Sequence, residues 1–377
     1  MIGAIVKRGL LAAAMMGVIA GPALAAKEVK VTVGVGGKHP TVSHGWEPYV
    51  KAVEEATGGS LKFRMFLAGS LLPLKATLTG VRDGVADVGL MVLHYYPAEL
   101  PHAKLVGDLA LLGTDNAVMA GATTEFNLLR CPECQREFAA QRQVYLGAYS
   151  STPFRLITKG KITTLDELKG KKVRVSGAAW TRWLANFGAI PVPMPANEMF
   201  EGLSQGVINA AIQSPGALRS YSLWDVADSI TMIPLGTAHS LSLMGYNQGF
   251  WRDLTLAERT VLIDKAALNI TGTVVRYEEL DQAVLKVAGE HGVTIHQPSP
   301  EMAAASKAFA EKDLATVAKE SEEKYKIKNA AAKIDTYLAL VRKWEKLVAP
   351  VRNDPAKLEA LYKSELFDKL DPKTFGM

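Results

Sequence analysis

From Leu256 to Glu290 the chain runs for some 35 residues with almost no helix breaker. At 1.5 Å per residue such a helix reaches ~52 Å, well beyond the ~30 Å of a small domain. It therefore calls for two bodies to lie along, or one large two-lobed unit. The 377 residues suffice for that, and 48% hydrophobic with 21% charged residues describes a folded chain, not a disordered one.

Ahead of this run lie two series of short strands and helices. Val29 to Val35 alternates and is β-branched, which predicts a strand ending in Gly34-Val35-Gly36-Gly37. A helix over His44 to Ala56, a strand over Leu61 to Phe66, a helix over Leu74 to Arg82 and a strand over Asp87 to Val92 follow. The rhythm is that of an α/β unit with a mixed, mostly parallel sheet. A second unit opens near Ser150, with strands at Phe154–Thr158, Lys172–Val175 and Val207–Gln213. Thr163 or Thr164 caps a short helix, and Trp180 to Phe187 is an amphipathic helix stopped by Gly188. Leu235 to Tyr246 carries the chain back to the first unit, and further long helices cover Pro298–Lys324 and Asn329–Leu347.

Residues 1–25 read as a cleaved secretory leader, with Lys7 and Arg8, an apolar run from Gly9 to Ala20, and Ala23-Leu24-Ala25 at the end. A membrane anchor is the alternative, but the run falls short of the ~20 residues a span needs. Export to the periplasm changes the meaning of Cys131 and Cys134, the two cysteines, in Cys-Pro-Glu-Cys. No His-x3-His supports a zinc site, and helical residues rather than a strand precede the pair. One local structural disulfide is expected there. The alternative of another class is an exported thiol-disulfide enzyme using both thiols.

Chemistry-bearing motifs are otherwise missing. In Gly34-Val35-Gly36-Gly37-Lys38-His39 the third glycine of a dinucleotide loop falls at His39, so that pattern fails. There is no phosphate loop, nucleophile elbow or His-Glu-x-x-His, so no metal, cofactor or catalytic residue is expected. The net charge of +5 includes no Lys/Arg block of five, which argues against nucleic acid. Two lobes, export and no catalytic signature favour capture over catalysis.

Two blocks carry a family resemblance. Ile162 to Val175, with Leu165-Asp166-Glu167-Leu168-Lys169-Gly170-Lys171-Lys172-Val173-Arg174-Val175, is one. Gly188 to Pro195, followed by Glu198, Phe200 and Leu203-Ser204-Gln205-Gly206-Val207, is the other. Gly69-Ser70-Leu71-Leu72 and Val81 to Asp87 add to them. From about residue 29 to 348 the chain resembles the periplasmic solute-binding protein of TRAP transporters, the DctP-like family. The resemblance implies a two-lobed Venus flytrap that closes by a hinge on a small organic acid and delivers it to a TRAP membrane permease. Arg174 matches the strand-end arginine that pairs with the ligand carboxylate, and Arg155, in Pro153-Phe154-Arg155, the assisting one. A planar guanidinium suits that task, since it donates two parallel hydrogen bonds and stays charged.

The chain departs from the sugar-acid and dicarboxylate binders, because Asn209 to Pro215 lacks their acidic residue and their Asn before the proline, and Ala196 replaces an aromatic. Tyr95, Tyr96, Phe154, Trp180, Trp183 and Trp224 supply aromatic surface instead, with Trp180 and Tyr95 the cleft candidates and Trp183 a core residue. The expected ligand set is Arg174, Arg155, Trp180, Gln213 and Tyr95, acting on an aromatic or apolar monocarboxylate. The expected organisation is a first lobe over 26–150 with a return over about 240–275, and a second over 151–239 with about 276–348. A helical tail over 349–377 either covers the second lobe or supports self-association. A binding protein of an ATP-driven (ABC-type) transporter and a sensory receptor remain as alternatives for the same ligand.

Overall fold

A computed structural model of the chain describes residues 26–377, so the expected leader lies outside the described residues. Eleven strands are present among them: β1 Lys27–Thr32, β2 Leu61–Phe66, β3 Val88–Val92, β4 Gln143–Tyr145, β5 Arg155–Thr158, β6 Lys172–Val175, β7 Ile190–Pro193, β8 Ala210–Gln213, β9 Ser229–Thr231, β10 Leu241–Asn247 and β11 Thr294–His296. They form two sheets, in the orders β2-β1-β3-β10-β4 and β11-β9-β5-β8-β6-β7. Parallel pairings hold a small majority, five of nine. The antiparallel ones have a topological cause. β5 and β10 are the strands on which the chain enters the second lobe and returns to the first, so they run against their neighbours.

Alternation places the cores. Val29 and Val31 of β1 are buried, while Glu28 before them and Lys30 between them are exposed. Together with Leu61, Val88 and Leu90 they meet Ile270 and Val274 of the long helix in one large first-lobe core. In the second lobe Leu156, Val173 and Val175 face one side with Trp183 and Leu184. Ile157, Ala211 and Ile230 face the other, with Leu203 and Ile208.

The long helix is Leu256–Val287, opened by a capping box in which the Thr255 hydroxyl accepts from the Glu258 N–H and the Glu258 carboxylate accepts from the Thr255 N–H. Residues Leu262 to Tyr277 sit in the first-lobe core, whereas Leu285 and the following Ala288 pack in the second lobe. A second helix, Pro300–Glu323, also spans the lobes, with Met302 in the second core and Val317 in the first.

Two expectations about the C-terminal third are corrected. The expected second lobe takes in the helix Ala330–Val348, but its Ile334, Tyr337, Trp344 and Val348 lie in the first-lobe core. There Trp344 Nε1 and Lys343 both donate to the buried carboxylate of Glu125, which draws this helix onto Asn116–Glu125. The tail covers the first lobe rather than the second: Leu358 and Tyr362 of its helix Pro355–Glu365 are buried there, and the Tyr362 hydroxyl donates to the Ala117 carbonyl at 2.7 Å. Cys131 and Cys134 are bonded to each other within the same core.

Candidate binding site

The carboxyl ends of β1, β3, β6 and β8 converge between the lobes, the region where open α/β sheets take their ligands. A cavity with about 470 Å3 of unfilled space, open solvent at its mouth included, lies there between the lobes. Three of the segments that link the lobes contribute to its wall. Tyr149, Ser151 and Phe154 come from the outward crossover, Ala238 and Leu241 from the return, and Tyr277 from the long helix. A roomier groove of about 1160 Å3 runs along Leu111–Thr114 and the helix residues Ala303–Glu311. None of the residues lining it has a buried polar side-chain atom without a partner, whereas the interlobe cavity has two such residues.

Arg174 dominates that cavity. Its side chain is on the opposite face of β6 from Val173 and Val175, and it is fully buried. Its Nε donates to the Met194 carbonyl at 2.9 Å and Nη1 to the Ile212 carbonyl at 3.4 Å, so the flanking strands set the plane of the guanidinium. Nη2 is buried without a partner. Among the described residues no carboxylate bridges to Arg174. Burial lowers its pKa from the ordinary value, and the hydroxyls of Tyr95 and Tyr221 beside it work in the other direction.

The rest of the wall is aromatic. Tyr149 stacks on Tyr277 with ring centroids 5.7 Å apart. His39 meets Tyr221 and Tyr277 edge-on at 5.7 and 5.5 Å, and its Nε2 lies 3.0 Å from the Tyr277 hydroxyl. Burial holds His39 down at about 3 and, with Arg174 as the next cause, His94 at about 3, so both rings are neutral. Arg174 is then the one charged side chain among the lining residues.

The family profile described as bacterial extracellular solute-binding protein, family 7 (DctP) matches residues 34–321. The chain belongs to this family. It is a family of binding proteins, not of enzymes. Among curated relatives, a solute-binding protein of Albidiferax ferrireducens is 23% identical over 184 residues, 48% of this chain and 53% of that one. The 2,3-diketo-L-gulonate-binding periplasmic protein YiaO of Escherichia coli is 27% identical over 161 residues, 42% and 48% of the two chains. The chain thus spans about half the length of the curated relatives it matches. Among solved structures, a TRAP solute-binding protein of Rhodoferax ferrireducens in complex with copurified benzoate superposes with a TM-score of 0.76 at 21% identity, covering 86% of this chain and all of that one. A marine metagenome protein specific for aromatic acid ligands, with 3-hydroxybenzoate, gives 0.75 at 22% identity over 85% and 99%. A Bordetella bronchiseptica protein with bound mandelate gives 0.71 at 20% over 84% and 99%.

In this solute-binding protein the expected ligand residues separate. Arg174, Tyr95 and Gln213 line the cavity; Arg155 and Trp180 do not. Arg155 makes its one hydrogen bond, from Nη1, to the Phe154 carbonyl at 3.5 Å, and the charge of Asp281 on the long helix acts on it without an ion pair. Trp180 lies behind the wall, where its ring stacks on Phe154 at 5.0 Å and its Nε1 donates to the Leu235 carbonyl at 2.7 Å. That hydrogen bond needs the indole turned inward, so the wall presents Phe154 and keeps the tryptophan as its backing. Trp183, read as core, is buried and donates to Ser306 Oγ at 2.9 Å. Sequence reasoning missed His39, His94, Tyr149, Tyr221 and Tyr277. In sequence His39 signals only a failed dinucleotide loop, and Tyr277 lies inside a long helix whose length points to a bridge and not to a ligand.

Proposed function

We propose that this protein captures a small aromatic or apolar monocarboxylate in the periplasm and delivers it to a TRAP-type membrane permease. One observation carries the reading: a buried guanidinium, with no acidic partner and one donor group unused, opens into a cavity of aromatic rings. A single cation calls for a single carboxylate, and an aromatic wall favours a ligand with a flat apolar body. The benzoate, 3-hydroxybenzoate and mandelate held by the similar structures are ligands of that kind. Arg174 acts alone in this scheme, because Arg155 is outside the wall. Capture between lobes excludes water, which strengthens the ion pair as the cleft shuts.

The test is native mass spectrometry of the freshly purified protein for a copurified acid, followed by calorimetry with benzoate and its hydroxylated relatives. Arg174→Ala should weaken binding by about 2–5 kcal/mol, because it strands a desolvated carboxylate. Equal affinity in a folded Arg174→Ala protein would remove Arg174 from the site and the reading with it.

A further inference from the structure

Two side chains on the cavity wall have a buried atom with no partner, and they belong to different lobes. Arg174 Nη2 is on the second lobe and His94 Nε2 on the first. A buried polar atom left unpaired is costly, and on a cavity wall a bound molecule can complete its hydrogen bonding. His94 follows β3 directly, in the turn Leu93–Tyr95, with its ring edge-on to Tyr95 at 5.0 Å. Its ring also approaches Gly177, the residue that precedes the helix Ala178–Asn186 of the opposite lobe. The charged or titratable groups that bear on it are Arg174, Lys104 and His239. Burial and these neighbours disfavour the imidazolium, so the ring is neutral, with one nitrogen a donor and the other an acceptor. A neutral imidazole pairs well with a hydroxyl but offers no charge to a second carboxylate.

We propose that His94 reads a hydroxyl group on the bound acid, so that the preferred ligand is a hydroxylated aromatic monocarboxylate. Its carboxylate is held by Arg174 on one lobe and its hydroxyl by His94 Nε2 on the other. This inference rests on the reading of Arg174 as the carboxylate anchor. It also gives closure a chemical cause. A ligand bonded to both lobes gains more contacts in the closed than in the open form, and only that difference shifts the equilibrium. A plain acid leaves Nε2 unpaired, while a dicarboxylate sets its second charge against a neutral ring.

The experiment is calorimetry on matched pairs: benzoate against 3-hydroxybenzoate and 4-hydroxybenzoate, and phenylacetate against mandelate. In the unmodified protein at least one hydroxylated acid should bind tighter than its parent by about tenfold or more, the penalty for leaving a buried polar atom unpaired. His94→Leu should abolish that preference by weakening the hydroxylated acid while sparing the parent, and His94→Gln should restore part of it. Parents that bind as tightly as every hydroxylated acid overturn the proposal without any variant, even if His94→Leu does not fold. So does a preference that survives His94→Leu unchanged. If no aromatic acid of either kind binds the unmodified protein, the carboxylate reading itself falls, and this inference with it.

Discussion

Desolvation works against any charge inside a protein, and Arg174 meets it with two carbonyl oxygens and the neighbouring hydroxyls of Tyr95 and Tyr221. A buried arginine usually has a carboxylate beside it, and here the charge of Glu198 has only a minor influence on its pKa. The opposite arrangement is found at Asp281. Its carboxylate accepts from the Gly216 N–H at 2.6 Å and from the Thr152 hydroxyl, tying the long helix to the second lobe and to the crossover. Burial nevertheless raises its pKa from 3.8 to about 7, outweighing Thr152, Gly216 and Arg155, which all lower it. Between about pH 4 and pH 7 the folded protein therefore holds a proton that the unfolded chain has released. This contribution to stability is full below the unfolded value and is lost as pH rises through 7. Asp281→Asn keeps the shape and cannot ionise, so it should gain in melting temperature relative to the unmodified protein on going from pH 5 to pH 8, by ~2–4 °C per kcal/mol. A difference in melting temperature that is the same at both pH values would refute the assignment.

At the scale of elements, the long helix owes its position to a close crossing. A methyl group at Gly272 would come 1.8 Å from the backbone oxygen of His44, in the segment Thr41–Trp46 that packs across it. Only a residue without a side chain lets these two backbones meet. Gly272→Ala should therefore destabilise the protein by ~1–3 kcal/mol despite its better helix propensity, read as a lower midpoint of urea unfolding. A higher midpoint would show that the helix can shift away at no cost. The same glycine lies inside the run that reads as breaker-free in sequence. Periodicity gives the helix, and only its neighbour explains why glycine occupies that position.

At the scale of the whole molecule, three buried neutral histidines cluster around the interlobe region. His39 and His94 line the cavity, and His239 in the return crossover lies within hydrogen-bond distance of Thr237 Oγ1 and the Val106 carbonyl, 2.8 and 2.9 Å away. Burial is the main cause of all three depressed values, about 3, about 3 and about 4. Below the ordinary value of 6.5 the unfolded chain takes up protons that the folded protein refuses, so stability falls as pH drops from there towards 4. Each residue adds up to about 1.4 kcal/mol per pH unit, in the opposite direction to Asp281. Denaturant titrations at pH 6.5 and pH 5 should show a net loss at the lower pH, with a smaller loss in His239→Gln. No loss over that interval would mean that these rings are protonated in the folded state.

Local patterning was enough to determine much of this protein. The alternation of Val29 and Val31, the capping box at Thr164, the unbroken run after Thr255 and the Arg174 block all act through neighbours close in sequence, so they are legible there. The tertiary structure decided which side chains share a cavity. Tyr149, Tyr221 and Tyr277 are far apart along the chain and belong to a crossover, a lobe surface and a helix, yet they meet at one wall. Arg155 is left out of the cavity wall, and Trp180 is turned towards a carbonyl of the return crossover. Hydrophobic periodicity records which face of an element is buried, but not what that face is buried against. That second choice depends on long-range packing and on the nearest unpaired donor or acceptor, and neither exists until the two lobes come together.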